Sequence, residues 1–235
     1  MRQHDNGANR PVAVFDVLGT LVDQAGSLAR EVAAAADLDE AAAAATVRAW
    51  LDHVAEQERA VLDGRRAFAP SHELDAEALH RLADEGLLAR GHVDRLADAS
   101  QRLRPWPDTL AGLDRLAPDV TVLGLSNAGR RVLTGLSGAS GMRWHQVLSA
   151  EDAGTYKPDP AVYELALRSA PADAGPPFMV AAHAWDLRAA QAAGMRTAYV
   201  PRPDGDPPGP GDAFDLYAAD LADLHALLFA PDAGA

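Results

Sequence analysis

The segment that determines the fold of this chain is VAVFDVLGT, residues 12–20. Four consecutive apolar residues lead directly into Asp16, and a Gly-Thr turn follows after two more apolar residues. An apolar run of this length that ends in a turn predicts a buried strand of a parallel sheet. Ligands of open parallel sheets bind beyond the carboxyl ends of the strands, so Asp16 is a candidate catalytic residue. The structural alternative is an aspartate that caps the turn.

Further short apolar runs alternate with helical segments through the second half of the chain. The predicted strands are Val12–Asp16, Val120–Leu125, Gln146–Ser149, Phe178–His183 and Thr197–Val200. The predicted helices are Ala128–Leu136, Ala161–Ala170, Leu187–Ala193 and Leu221–Phe229. This alternation predicts an α/β fold with a Rossmann-like, doubly wound parallel sheet.

One long segment interrupts the alternation. From about Gln24 to Leu103 the sequence is helical, rich in Ala, Leu, Glu and Arg, and it ends at the stiff segment RPWP, residues 104–107. A helical insertion after the first strand predicts a separate subdomain, and the prolines mark the return to the sheet. We therefore expect a catalytic core of residues 1–23 and 103–235 and a helical cap of residues 24–102.

Composition excludes several classes of function. The net charge of the 235 residues is −13, so the chain lacks the positive surface that nucleic acid requires, and an anionic substrate needs local cations to bind. The chain has no cysteine, which excludes disulfides, thiolate metal sites and cysteine nucleophiles. No apolar run approaches the roughly 18 residues of a membrane span, and Met1–Arg10 lacks the features of a secretory signal. We expect a cytoplasmic protein without nucleic-acid or membrane partners.

Four more polar residues follow predicted strands or precede predicted helices. Ser126 and Asn127 end the second strand, Lys157 lies in the loop before a helix that begins near Pro160, and Asp186 follows the fourth strand. Taken singly, each has an ordinary structural explanation, because Ser, Asn and Asp cap helices and loop lysines usually face solvent. Together with Asp16 they place Asp, Ser, Lys and Asp at the same edge of the sheet.

This order of residues resembles the four motifs of the haloacid dehalogenase superfamily, and the resemblance covers nearly the whole chain, including the cap. Phosphatases of that superfamily carry a second Asp two residues after the nucleophile and a Mg²⁺-binding Asp four residues before the last motif Asp. Here Leu18 and Ala182 occupy those positions. Phosphoryl transfer depends on metal and acid catalysis. We therefore expect no phosphatase activity, no metal and no cofactor.

Within the superfamily, the chain resembles the type II 2-haloacid dehalogenases. That resemblance implies that Asp16 is the nucleophile, which attacks the α-carbon and forms an ester that water hydrolyses, and that Lys157 keeps Asp16 ionised. It also implies supporting roles for Thr20, Ser126, Tyr163 and Asp186, with Tyr163 at the substrate. Members of that family are often homodimers, so a homodimer is one open expectation.

The same resemblance implies a halide cradle formed by Asn127, Trp185 and an arginine of the cap. We expect Arg48 to be that arginine, from its spacing to Phe68. The register of a helical segment slips easily, so the alternatives stay open: Arg59, Arg65 and Arg66.

The chain also departs from the family pattern in its substrate pocket. A tyrosine that is usual in the family is replaced by Leu18, and the family's Ser and Asn of the fourth motif are replaced by Ala181 and His183. We expect His183 to line the pocket and donate to water or to the leaving group. The alternative is a structural histidine bound to a backbone carbonyl.

Four functions remain open after the sequence analysis. The first is dehalogenation of a short (S)-2-haloalkanoic acid, a small-molecule carboxylate. The second uses the same attack by Asp16 on a strained ring amine such as azetidine-2-carboxylate, for which His183 could supply the proton. A phosphatase with unusual metal ligands is the third. A non-enzymatic binding role is the fourth, but it does not explain why Asp16 and Lys157 are both present.

Overall fold

The structure is a computed structural model that describes residues 10–230. Its strands are β1 (Val12–Phe15), β2 (Val22–Asp23), β3 (Arg104–Pro105), β4 (Thr121–Ser126), β5 (Gln146–Ser149), β6 (Phe178–Ala181), β7 (Arg196–Tyr199) and β8 (Leu216–Tyr217). Its helices are α1 (Gln24–Ala36), α2 (Glu40–Leu62), α3 (Ser71–Asp84), α4 (Val93–Leu96), α5 (Thr109–Leu116), α6 (Arg130–Ser140), α7 (Pro160–Ser169), α8 (Ala184–Ala192) and α9 (Leu221–Leu228). Short 3-10 turns lie at Arg90–His92, Ala99–Gln101 and Ala150–Asp152.

Six of the strands form one parallel sheet in the order β5-β4-β1-β6-β7-β8. Strand β1 lies in the interior of the sheet, where Val14 is paired with Leu123 on one side and Met179 on the other. The chain order reverses direction at β1, and this reversal opens a crevice at the carboxyl edge. The predicted α/β fold is confirmed, and Asp16 follows β1 at that edge.

Both faces of the sheet are covered, as doubly wound topology requires. Ala13 and Phe15 point to one apolar cluster, which α5 and α9 complete, while Val12 and Val14 point to a second, completed by α7 and α8. The continuous apolar run of β1 therefore reflects burial on two faces. The predicted strand ends differ from the observed ones by one or two residues; β6 ends at Ala181 because the backbone turns there into α8, with His183 as its N-cap.

Helices and 3-10 turns make up the regular structure between β2 and β3. These two short strands pair antiparallel, with Val22 opposite Pro105, and so bring the two ends of the inserted segment together. Inside the insertion, α2 packs against both α1 and α3. We propose that residues 24–102 form the cap over a core of residues 1–23 and 103–235.

Residues 10–230 include no helix that is both long enough and apolar enough to cross a membrane. Most of the polar N-terminal segment considered above, residues 1–9, lies outside the described residues.

Candidate active site

A cavity of about 250 Å³ lies between the carboxyl edge of the sheet and the inserted helices. Its floor comes from the sheet edge and includes Asp16, Ser126 and Lys157. Its opposite wall comes from α2 and α3 and includes Glu58 and Asp75. Floor and wall therefore belong to different parts of the chain, and each presents ionisable groups to the same space.

Asp16 is a buried carboxylate held by three donors. Thr20 Oγ1 donates to Asp16 Oδ2 at 2.7 Å, and His183 Nδ1 lies 3.2 Å from the same oxygen. Lys157 Nζ donates to Asp16 Oδ1 at 3.1 Å. Burial raises the pKa of Asp16, but the Lys157 cation, helped by His183 and Thr20, outweighs burial and lowers the pKa well below its ordinary value. Asp16 is therefore ionised at neutral pH.

The turn after Asp16 is shaped to admit the His183 ring. Gly19 has a φ of +80°, and a Cβ at this position would lie 2.8 Å from His183 Cε1. Glycine is thus required both by the left-handed backbone and by the close approach of the imidazole. Thr20 connects the turn to the neighbouring strand, since its Oγ1 accepts from the Ala182 N–H at 3.0 Å.

Lys157 is buried between two carboxylates. Its Nζ lies 3.1 Å from Asp16 Oδ1 and 2.7 Å from Asp186 Oδ2, and its side chain is 1% exposed. Burial lowers the pKa of Lys157, but the two carboxylates raise it above its ordinary value. Tyr163 donates to Asp186 Oδ1 at 2.6 Å, and Asn127 Oδ1 accepts from the Lys157 N–H at 2.8 Å. The lysine is therefore fixed at both its backbone and its ammonium group.

His183 is the most accessible of the groups that contact Asp16. Its side chain is 20% exposed, against 1% for Lys157. Burial lowers the pKa of His183, but the hydrogen bond and the charge of Asp16 raise it above the ordinary 6.5. An imidazole in this position can exchange a proton next to the Asp16 carboxylate.

The structure brings most of the predicted site residues together, although not all of them line the cavity. Those that line it are Asp16, Leu18, Ser126, Asn127, Lys157, His183 and Trp185. Thr20 and Asp186 lie behind these and bind Asp16 and Lys157 through hydrogen bonds, and Tyr163 in turn binds Asp186. Contrary to the prediction that Tyr163 contacts substrate, its side chain is wholly buried and its hydroxyl is directed at Asp186.

The predicted cap arginine is absent from the cavity. Arg48 instead lines a separate groove between α1 and α2, because it lies on α2 beyond the turn that reaches the site. The three alternatives are also bound elsewhere: Arg59 to the Ala55 carbonyl, Arg65 to Asp63 and Arg66 to Glu77. Among the residues described for this cavity wall no arginine is present, so the structure does not bring Arg48 to the site at which the sequence predicts a halide ligand.

Two acidic residues of the cavity wall were not predicted. Glu58 Oε2 accepts from Asn127 Nδ2 at 3.0 Å, and burial raises the pKa of Glu58 to about 7. Asp75 accepts from Trp50 Nε1 at 2.7 Å and from Ser100 Oγ at 2.8 Å. The sequence could have indicated Glu58 through its spacing. It lies on the same face of α2 as the lining residues at positions 51, 54 and 55, so it is an acidic residue in a largely apolar stripe.

The chain matches a family model described as haloacid dehalogenase-like hydrolase over residues 11–194. It therefore belongs to that family and is a hydrolase. It is also 31% identical to the (S)-2-haloacid dehalogenase 4A of Burkholderia cepacia over 206 residues, which are 83% of this chain and 84% of that protein.

Solved structures of the same kind superimpose on nearly the whole chain. The L-2-haloacid dehalogenase PA0810 has a TM-score of 0.84 at 33% identity, over 96% of this chain and all of the other. The defluorinating L-2-haloacid dehalogenase Rha0230 has a TM-score of 0.82 at 30% identity, over 97% of this chain and 98% of the other. The resemblance to type II 2-haloacid dehalogenases is confirmed.

Proposed function

We propose that this protein hydrolyses short 2-substituted carboxylic acids by displacement at the α-carbon, with Asp16 as the nucleophile. The observation that carries the proposal is the Asp16 carboxylate itself, which is ionised, faces the cavity and is held by Lys157. A carboxylate of this kind attacks carbon and forms an aspartyl ester, which water then cleaves.

The hydrogen bonds favour Asp16 Oδ1 as the attacking atom. Oδ2 is bound by both Thr20 and His183, whereas Oδ1 is bound by Lys157 alone. An oxygen with one donor keeps a lone pair available for the substrate. Two residues after Asp16, the Leu18 N–H has no acceptor among residues 10–230, so together with the Ser126 hydroxyl it is a candidate donor to the substrate carboxylate.

We assign the hydrolytic water of the second step to His183. Asp186 is wholly buried and is not among the residues that line the cavity, so a water molecule in the cavity does not reach it. His183 lies beside the Asp16 carboxyl, where the ester carbonyl forms, and it is partly open to the cavity. Its imidazole can take a proton from water as the water adds to the ester.

Two positions weaken the phosphatase alternative. Leu18 lines the cavity where a superfamily phosphatase carries its acid, and Ala182 presents a methyl group where it carries a metal ligand. Metal-assisted phosphoryl transfer needs oxygen ligands for Mg²⁺ and an acid for the leaving group. We therefore propose catalysis at carbon without a metal.

Short 2-haloalkanoic acids are the first substrates to test, because the relatives carry the name (S)-2-haloacid dehalogenase. A second candidate, with the same attack by Asp16, is a strained ring amine such as azetidine-2-carboxylate. The observation that favours it is the cavity wall, which presents Glu58 and Asp75 where a halide would need a cation.

The experiment is a single turnover in H₂¹⁸O with enzyme in excess. The substrates are chloroacetate, fluoroacetate, L-2-chloropropionate and azetidine-2-carboxylate, with p-nitrophenyl phosphate as the phosphatase probe. If an ester forms, ¹⁸O enters the Asp16 side chain, and the first product hydroxyl carries unlabelled oxygen. Label that appears directly in the first product would show that Asp16 activates water, and would refute the covalent step.

A further inference from the structure

The cavity has a second polar region that the proposed displacement does not use. Ser71 and Asp75 of α3 line it, together with Ser100 of the 3-10 turn at Ala99–Gln101, and we call these three residues the distal end. The charges of both Asp75 and Lys157 act on the pKa of Glu58. Glu58 is therefore near both ends of the cavity, with the distal end on the other side of it from the lysine.

Asp75 is a buried carboxyl group that retains the capacity to accept hydrogen bonds. It is 8% exposed, and what it exposes lines the cavity. Trp50 Nε1 donates to its Oδ1 at 2.7 Å, and Ser100 Oγ donates to its Oδ2 at 2.8 Å. Each oxygen of a carboxylate can accept more than one hydrogen bond, and both of these donors are neutral. Asp75 can therefore accept a further hydrogen bond from a ligand in the cavity.

Ser71 supplies a donor beside this acceptor. Its Oγ accepts from the Gly129 N–H at 2.8 Å, while its own hydroxyl proton has no acceptor among residues 10–230. Ser71 precedes Asp75 by one helical turn on α3, so both side chains lie on the same face of the helix. Side chains in this relation have Cβ atoms about 5–6 Å apart, a separation that a single hydroxyl group can bridge.

The remaining lining of the cavity includes apolar side chains. Val54 of α2 and Val132 of α6 both line it, and methylene groups of a ligand can pack against them. The cavity thus combines a catalytic end at Asp16, an apolar lining and a polar distal end that both donates and accepts. A ligand that matches all three has an acid group, a short alkyl chain and a terminal group that both donates and accepts.

We propose that the distal end is a specificity site for a hydroxyl group at the far end of the substrate's 2-substituent, which donates to Asp75 and accepts from Ser71. This inference rests on the proposed displacement by Asp16 and names the substrate class for it, 2-haloalkanoic acids with a terminal hydroxyl. Asp75 and Ser71 take no part in the bond changes, and the halide leaves as it does from an unsubstituted acid. An ammonium group fits less well, because it has no lone pair to accept from Ser71.

The first test measures binding without turnover. Calorimetry on the wild-type protein compares straight-chain carboxylates of four to six carbons with their ω-hydroxy and ω-amino derivatives, none of which carries a leaving group. We expect one chain length at which the hydroxy acid binds at least about tenfold more tightly than the unsubstituted acid, because a hydrogen bond to a charged group contributes at least that much. No preference at any length would refute the inference. An amino acid that binds more tightly than the hydroxy acid of equal length would also refute it, since the distal end would then recognise a cation.

The second test repeats the binding comparison in matched variants. Asp75→Asn should reduce the preference for the hydroxy acid to less than about threefold, and Ser71→Ala should reduce it at least about threefold. Glu73→Gln, which changes an exposed acid of the same helix, should leave it unchanged. Binding of the unsubstituted acid, which does not involve the distal end, shows that each variant is folded at the site. If Asp75→Asn fails this control, Ser71→Ala alone decides, and a preference that survives in Ser71→Ala contradicts the inference.

The third test measures turnover, and it separates this inference from the proposed function. At the preferred chain length, the L-2-bromo acid with a terminal hydroxyl should have a kcat/KM for bromide release at least about tenfold above that of the L-2-bromo acid without it, and Asp75→Asn should remove most of the difference. If ¹⁸O enters Asp16 but the hydroxyl brings no advantage, displacement by Asp16 stands and the role of the distal end is wrong. If the hydroxy acids bind preferentially but no substrate labels Asp16, the distal end stands as a binding site and the covalent mechanism is wrong.

Discussion

Replacement of Lys157 by methionine isolates the contribution of the buried cation. Its Nζ is the only ammonium between Asp16 and Asp186, both of which are buried, among the described residues. Breaking a buried ion pair by removing one partner typically costs about 3–5 kcal/mol, because a carboxylate remains without compensation. We expect Lys157→Met to lower the free energy of unfolding by about this amount at pH 8 and to slow single-turnover displacement at least about a hundredfold.

The sign of the pH dependence follows from the pKa of Asp16. In the wild type that pKa is lowered, so the stability it contributes is present above the unfolded value of 3.8 and is lost as the pH falls. Without Lys157, burial raises the Asp16 pKa, and stability is lost as the pH rises through the new value. The difference between the two proteins should therefore grow from pH 5 to pH 8.

Urea unfolding at both pH values measures this difference. Arg168→Met is the control, because it removes the cation of an exposed pair with Glu164 and should cost less than about 1 kcal/mol at either pH. A Lys157→Met protein that is as stable as the wild type at pH 8, or that keeps its displacement rate, would refute the assignment of Lys157 as the cation of the site.

Three other predictions are independent of that one. Activity should survive dialysis against EDTA and should not rise with added Mg²⁺, because Leu18 and Ala182 offer no ligand; stimulation by Mg²⁺ would favour a phosphatase. Arg48→Ala should change kcat/KM less than about twofold, since Arg48 lines a different groove, and an inactive variant would place it in the site. Glu58→Gln should become more stable relative to the wild type as the pH rises from 5 to 8. The reason is that the Glu58 pKa is raised to about 7, so the wild type loses stability as the pH rises through that value. A difference in Tm that stays constant over this pH range would contradict the prediction.

The sheet and its catalytic edge could be predicted because their signals are local. A buried parallel strand needs a continuous apolar run, and β1 supplies one that leads directly to Asp16. The carboxyl ends of such strands meet at one edge, so the positions of Ser126, Lys157 and Asp186 followed from their places after strands and before helices. These inferences required the order of elements along the chain but no knowledge of their tilt or packing.

The cap wall could not be predicted, because a helix is positioned along its axis by tertiary packing. Arg48 and Glu58 are ten residues apart, which corresponds to about 15 Å along α2 and to a rotation of about 80° around it. Periodicity identifies the face that is turned to the core but not the turn that lies over Asp16. That position depends on contacts such as Trp50 with Asp75 on α3, which the sequence does not reveal.

The cavity is lined by two parts of the chain, the sheet edge and the inserted helices. The sheet edge holds Asp16, the proposed nucleophile, together with Lys157 and His183, all on strands or loops whose positions are set by the parallel sheet. The facing wall of the cavity comes from α2 and α3 instead, and it presents Glu58 and Asp75. An arginine there would stabilise a departing anion, whereas Glu58 can supply a proton to a departing base. Under the proposed displacement by Asp16, the side chains that α2 turns toward the cavity therefore determine which leaving group the site favours.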